Sequence, residues 1–382
     1  MKRLGFGFMR LPYTVKGDPG SINIEKVNAM VDEFMARGYN YFDTAWMYQN
    51  FKSEDAIKTC VVDRYPRESF TVATKLHSGF FESREDIENI FSEQLRKTGA
   101  GYFDYYLLHG LDEEMYEKHE KFDTFSWLLE KKAQGLVKHA GFSFHAGPEL
   151  LRTILTKHPE MEFVQLQINY LDWENPAIGS KECYEVATEF GKPVIVMEPV
   201  KGGTLAKVPQ EVADFLASKD PSRTPASWAL RFPLSLDNVM VVLSGMFKPE
   251  QMTENLDTAD SAGPLSEDEL QTLHEAVRIM NSLGGIPCTG CSYCTTGCPM
   301  NIPIPQYFAL YNADIQEVKT KGWNPQEAYY GNLARTFGKA SDCIACGQCE
   351  GICPQKLPII EHLKTVAEYF EGGSAYGYTE KK

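Results

Sequence analysis

The chain has 382 residues, 43% of them hydrophobic and 24% charged, which suits one large soluble domain followed by a small one. Its net charge of −14, with no basic cluster, argues against nucleic acid or an acidic membrane surface as a partner, because both need Lys and Arg to neutralise phosphate. No apolar run is long enough to span a membrane. The start, Met1-Lys2-Arg3-Leu4-Gly5-Phe6-Gly7, has no apolar signal region. A cytoplasmic location is therefore expected.

Strand-like and helix-like runs alternate over the first 260 or so residues. Leu4–Met9 is the first strand-like run. Asn23 caps a helix whose apolar face is Ile24, Val27, Met30, Val31 and Phe34, ending at Gly38. Tyr39–Thr44, a helical stretch near Ser53–Val62, and Phe70–Lys75 follow. Ser83-x-x-Asp86 opens the next helix, with Ile87, Ile90, Phe91 and Leu95 on one face. Further strand-like runs are Phe103–Leu108, Val137–Ser143, Phe163–Ile168, Val194–Glu198 and Val239–Ser244. Eight such runs, joined by segments long enough for parallel pairing, predict a (β/α)8 TIM barrel. An open doubly wound sheet would require a G-x-G-x-x-G turn after the first strand. Here Gly5-Phe6-Gly7 leads into Phe8, Met9 and Arg10, without the third glycine.

A last helix is predicted from Ser266-x-x-Glu269, with Leu270, Leu273, Val277 and Met280 on one face, packed on the barrel. Gly284-Gly285-Ile286-Pro287 then breaks the chain. The sequence is therefore divided into residues 1–283 and residues 284–382.

Eight of the ten cysteines lie in the second part. Residues 288–299 and 343–354 both read C-x2-C-x2-C-x3-C-P, the thiolate run that holds a [4Fe–4S] cluster. Zinc is the alternative for four-cysteine sites, but the close third cysteine and the Cys-Pro closure disfavour it. Cys60 and Cys183 stand alone and read as small buried apolar residues.

Four polar residues fall at or just after strand ends, where barrel enzymes keep their chemistry. They are Asp43, Tyr48, Lys75 and His109. A phenol ordinarily keeps its proton to about pH 10. An ammonium at Lys75 would lower that value, with Asp43 holding the lysine. His109 would orient a carbonyl oxygen toward the phenol, and Tyr48 would serve as general acid, or as base in the reverse direction.

These four segments resemble those of the aldo-keto reductases over roughly residues 1–260. The resemblance implies a nicotinamide cofactor, NAD(P)H, and hydride transfer to an aldehyde or ketone. Gly141-Phe142-Ser143 is similar to a family segment whose Ser holds the carboxamide, and Gln165 resembles the glutamine that does the same. Glu198-Pro199-Val200-Lys201-Gly202-Gly203 resembles the pyrophosphate loop, so Glu198, Pro199 and Gly202 are candidates there. Ser244 to Asn255 resembles the segment that grips the adenosine end, through Ser244, Lys248, Gln251, Glu254 and Asn255. Two departures stand out. Phe144 replaces the family's usual Asn, removing one carboxamide contact. Gln251 replaces an Arg common in NADP-preferring members, so a bidentate contact to a 2′-phosphate is lost. Arg10 and His145 also lie at strand ends and are candidates for an acidic substrate or phosphate. Trp46, Phe80, Phe81, Phe144, Trp173 and His145 suggest an aromatic-walled pocket.

The C-terminal part resembles bacterial two-cluster ferredoxins. The resemblance implies one cluster on Cys288, Cys291, Cys294 and Cys353, and another on Cys343, Cys346, Cys349 and Cys298. The insert between the runs, 299–342, carries helix-like Gln306–Val318 and Pro325–Arg335, expected to dock the module or cover a cluster. The tail after Glu371 is expected to fray. A nicotinamide passes two electrons together, whereas a cluster passes one. Three readings follow: a carbonyl reductase with accessory clusters; an enzyme fed by a ferredoxin-like carrier, through a flavin or directly to substrate; or an electron-transfer subunit of a larger complex.

Overall fold

In a computed structural model, which describes residues 2–316 and 324–372, the eight predicted runs form parallel strands that close on themselves. They are β1 (Leu4–Gly7), β2 (Tyr41–Asp43), β3 (Thr71–His77), β4 (Phe103–Leu111), β5 (Val137–Phe144), β6 (Phe163–Gln167), β7 (Val194–Met197) and β8 (Val239–Ser244). Leu4 pairs with Val242, which closes the ring between β1 and β8. The (β/α)8 reading holds. Three strands outrun their predicted ends, β5 by the single residue Phe144. β3 continues to His77, and β4 continues past a register shift to Leu111, with Gly110 at φ 69°.

Helix starts follow the sequence signals. The Asn23 side chain accepts from the Lys26 N–H, and helix Ile24–Ala36 buries Val27, Met30, Val31 and Phe34. The Ser83 hydroxyl accepts from the Asp86 N–H, and helix Arg84–Thr98 buries Ile87, Ile90 and Phe91. Gly99, at φ 62°, ends that helix in the left-handed cap that glycine favours.

Inside the barrel, Tyr41, Ala73, Leu107, Phe163, Ile195, Val241 and Leu243 form one apolar layer. Two glycines make room for its rings. A Cβ at Gly5 would lie 3.0 Å from the Tyr41 ring and 2.7 Å from Leu243. A Cβ at Gly141 would lie 2.5 Å from the Phe163 carbonyl oxygen and 2.6 Å from its ring.

The chain separates into two compact units. One comprises the residues up to Asn169, Glu182–Val200 and Ala226–Ser266; the other comprises Tyr170–Lys181, Lys201–Pro225 and the residues from Glu267 onward. In the second unit, helix Glu267–Ser282 buries Thr272, Leu273, Ala276 and Met280 and packs beside helix Gln210–Lys219. Leu270, placed on the buried face by the sequence pattern, is 36% exposed. The break after it is anchored: the Asn312 side chain accepts from the Ile286 N–H and donates to the Ile286 carbonyl, both at 2.7 Å.

The insert forms helices Ile304–Ile315 and Pro325–Thr336. The predicted end of the first, at 317–318, lies outside the described residues, and so does the tail at 373–382. Tyr307, Phe308, Tyr329 and Tyr330 join Cys294, Cys349 and Cys353 in one apolar cluster.

A Gly141→Ala substitution should lower stability by about 1–3 kcal/mol, because the backbone of Phe163 cannot retreat from a methyl as a flexible side chain would. A thermal midpoint equal to that of the parent would contradict this packing.

Candidate functional site

Side chains on a strand alternate between faces, so a residue two positions past the apolar layer points the same way. Asp43 follows Tyr41, Lys75 follows Ala73, His109 follows Leu107, Gln165 follows Phe163 and Met197 follows Ile195. These residues crown the apolar layer at the C-terminal end of the barrel. Gln165 Nε2 lies 3.4 Å from Met197 Sδ, as neighbours in one layer should.

The Lys75 ammonium is fully buried. It donates to both Asp43 oxygens, at 2.7 and 2.8 Å, and to the Thr44 carbonyl at 2.7 Å. Its three N–H bonds are thus all used. Burial pushes the Asp43 carboxyl up and the Lys75 ammonium down, and each partner opposes the other's shift. Gln94, from helix Arg84–Thr98, donates to the Lys75 carbonyl at 3.0 Å and to buried Glu54 at 2.8 Å.

Tyr48 arrives from the loop after β2. Its ring lies 5.9 Å from that of His109, edge to face at 79°. The Lys75 ammonium lies 5.1 Å from the centroid of the Tyr48 ring. The structure corrects one expectation here. Lys75 does not pull the phenol down. Burial, then the Asp43 and Glu198 carboxylates, hold the Tyr48 proton far above the ordinary phenol range, with Arg10 opposing. His109 is pushed well below the ordinary imidazole range, first by burial and then by His77 and Lys75. It is therefore neutral at pH 7, and its Nδ1 is buried with no hydrogen-bond partner.

His77 was not legible as a site residue. It sits opposite His109 in the β3–β4 register, with rings 5.2 Å apart. Its Nδ1 accepts from the Gly79 N–H, and burial lowers its pKa to about 4. A chain of rings runs from Trp46 to Phe51 (5.9 Å), Phe80 (5.7 Å) and His77 (5.6 Å). Of the predicted aromatic wall, Trp46 and Phe80 belong to this chain. Phe81 instead packs in the core against His119 and Phe122. Phe144 is buried against Phe142. Trp173 is half-buried in the second unit. His145 is half-buried, with its pKa lowered to about 4 by burial. Arg10 faces Glu198 at 3.6 Å.

The cofactor candidates fall into three groups. Ser143 Oγ accepts from the Gly110 N–H at 2.7 Å, leaving its own proton to donate. Gln165 Oε1 is buried, with no hydrogen-bond partner among the described residues. An orphaned acceptor beside a hydroxyl donor fits a primary carboxamide. Ser244 accepts from Asn255 at 3.0 Å, and Gln251 accepts from the Phe247 N–H at 3.0 Å. Lys248 lies 5.8 Å from the Phe247 ring, and Glu254 is on helix Pro249–Ser261. Glu198, at φ 56°, precedes Pro199 in the first unit. In the second unit Lys201 is buried and paired with Asp172 at 2.8 Å, ahead of Gly202 and Gly203 at φ 63° and 111°.

The cysteines of the second unit ring two hollows. One is lined by Cys288, Cys291, Cys294 and Cys353, with Ile304, Pro305 and Phe308. The other is lined by Cys298, Cys343, Cys346 and Cys349, with Ile302, Ile304 and Leu363. Each ring takes three thiols from one run and the fourth from the other. Among the described residues, no three His, Cys, Asp or Glu side chains converge on a point that one metal ion would fill. Four thiols around a hollow fit a cluster rather than a lone ion. Cys60 and Cys183 are buried, and burial pushes both thiols up to about 12.

The closed parallel barrel thus carries Asp43, Lys75 and His109 at its rim, with the Tyr48 ring against that of His109. Residues 3–278 match the aldo/keto reductase family, and residues 287–357 match the 4Fe-4S dicluster domain. The chain belongs to the aldo/keto reductase family and carries a C-terminal 4Fe-4S domain. An aldo-keto reductase of Mycobacterium avium is 27% identical over 263 residues, which is 67% of this chain and 84% of that one. The holo-form structure of an aldo-keto reductase from Bacillus halodurans superposes with a TM-score of 0.57 at 25% identity, covering 72% of this chain and 91% of that one. An aldo/keto reductase from Klebsiella pneumoniae, in complex with NADP and acetate, gives a TM-score of 0.57 at 16% identity over 72% of this chain and 90% of its own; it bears on the fold alone. No described helix is long and apolar enough to cross a membrane.

Lys75→Met should destabilise the protein by about 3–5 kcal/mol, because it leaves the Asp43 carboxylate buried and unpaired. The double substitution Asp43→Asn with Lys75→Met should recover much of that loss. Urea unfolding of Lys75→Met, Asp43→Asn and the double variant checks this, and additive effects of the two changes would contradict the pairing.

Proposed function

We propose that the protein interconverts a carbonyl compound and its alcohol, with a nicotinamide as redox partner and two [4Fe–4S] clusters in the C-terminal module. The observation that carries the reading is the Tyr48–His109 contact above the fully engaged Lys75–Asp43 pair.

When bound, a nicotinamide NAD(P)H would supply the hydride chemistry. The chain's own residues do the rest. Neutral His109 donates an N–H to the carbonyl oxygen and orients it. The Tyr48 phenol gives that oxygen its proton, forming the alcohol, and the phenolate is reprotonated from water. A phenol held far above its ordinary pKa keeps its proton across neutral pH, so the proton is there to give, although the same shift weakens it as a donor. Lys75 and Asp43 keep the floor of the site fixed. Ser143 and Gln165 would hold the carboxamide of that cofactor, Glu198, Pro199 and Gly202 its pyrophosphate, and Ser244, Lys248, Gln251, Glu254 and Asn255 its adenosine end. One cluster rests on Cys288, Cys291, Cys294 and Cys353, the other on Cys298, Cys343, Cys346 and Cys349. The protein works in the cytoplasm.

A second reading rests on the exposure of one cysteine in each ring, Cys291 and Cys346. Those positions leave both clusters within reach of a ferredoxin-like carrier, which would feed a flavin or the substrate.

Tyr48→Phe should cut carbonyl reduction by roughly 10²–10⁴-fold. In the parent, kcat/KM for reduction should stay level up to about pH 10, because the phenol keeps its proton, while alcohol oxidation should rise with pH. A fully active Tyr48→Phe enzyme would sink the reading. Cys288→Ser and Cys353→Ser should remove the same spectroscopic cluster, each lowering bound iron from about eight to about four. Loss of different clusters would reassign the rings.

A further inference from the structure

Three successive residues after Tyr48 lie in the left-handed region. Gln49 has φ 53°, ψ 48°, Asn50 has φ 51°, ψ 47°, and Phe51 has φ 64°. None is glycine, so each Cβ is held where it crowds its own backbone. Such strain persists only where the surroundings over-determine it. The turn starts at the residue after Tyr48, so whatever holds the turn also fixes the backbone that carries Tyr48.

Two buried side chains hold it, one at each end. Gln49 Nε2 donates to the Met9 carbonyl at 2.9 Å, tying the start of the turn to the loop after β1. Lys97, from the last turn of helix Arg84–Thr98, donates its ammonium to the Phe51 carbonyl. Lys97 is 49 positions away from Tyr48 in sequence, and its side chain is only 7% exposed. The same ammonium lies 5.0 Å from the centroid of the Trp46 ring, 3.7 Å from Glu54 and 3.8 Å from Asp55. It thus touches the chain on both sides of Tyr48, at Trp46 and at Phe51.

We propose that Lys97 is a positioning residue for Tyr48, clamping the strained 49–51 turn so that the phenol stays against His109. The inference rests on the proposed role of Tyr48. A lysine suits the place because three donors on a flexible stem serve a carbonyl, a ring face and carboxylates together.

The test uses the full chain with its clusters, comparing Lys97→Met and Lys97→Arg with the parent. Hydrogen exchange is read on the peptide covering 46–53, and reduction of 4-nitrobenzaldehyde is followed from pH 6 to 11. In Lys97→Met the peptide should exchange faster, while peptides from β3 and β4 keep the parent's rate. Its kcat should fall at least about tenfold with little change in KM, because the phenol is misplaced rather than the substrate lost. A new alkaline fall near pH 10 or so should appear as the phenol meets water. Lys97→Arg should restore most of kcat. Unchanged exchange at 46–53 would overturn the inference. So would a uniform loss of protection with an unaltered pH profile and no rescue by arginine, which would mark Lys97 as a general packing residue. A Tyr48→Phe control separates the failures. If it is inactive while Lys97→Met behaves like the parent, only the clamp is wrong; if it keeps full activity, the reading of the site is wrong.

Discussion

A buried ammonium cannot remain charged without an anion beside it. In this barrel that requirement joins two neighbouring strands. Lys75 on β3 and Asp43 on β2 sit one layer above a packed apolar floor, and their contact consumes every donor the lysine has. With its charge answered, Lys75 cannot act as a roaming cation. It becomes a fixed platform 5.1 Å from the Tyr48 ring centre. The same low-polarity setting strips His109 of its proton and makes Tyr48 keep its own. A neutral hydrogen-bond donor and a reluctant acid then face the mouth together.

The second unit poses a different constraint. Each ring of thiols draws its fourth member from the other cysteine run, so neither run completes a site alone. Ile304, at the start of the insert's first helix, lines both hollows. The insert is thus part of the cradles and not merely a spacer between them. Further along, Tyr330 stacks on Phe370 and accepts from the Ala340 N–H, which fixes the segment leading to Cys343. One-electron carriers seated in such a module and two-electron chemistry at the barrel rim need not meet. On the reading proposed, the barrel completes its reaction with a nicotinamide alone.

Much of this was legible in the sequence, for physical reasons. A parallel barrel repeats its strand-and-crossover pattern eight times, and residues such as Asp43, Lys75 and His109 break apolar runs where those runs end. Cysteine spacing is local and therefore plain. What was hidden depends on contacts between distant segments. The predicted effect of Lys75 on Tyr48 failed because burial, and then the Asp43 and Glu198 carboxylates, raise the phenol instead. His77 was missed because β3 runs two residues past its predicted end. Phe81 and Phe144 were drawn into a pocket wall by composition, yet both point into the core. Lys97 carried no signal, since a lysine on a charged helix reads as solvated until the fold buries it.

The central claim is that hydride arrives at the carbonyl from a nicotinamide while the chain supplies the proton. The most direct measurement is a single turnover with NADPH or NADH deuterated at C4, carried out on oxygen-free protein with its clusters loaded. The account predicts that one deuterium appears on the carbinol carbon of the alcohol, with no change in the visible spectrum of the clusters. A product that carries only solvent hydrogen at that carbon, formed as the clusters bleach and recover, would contradict it.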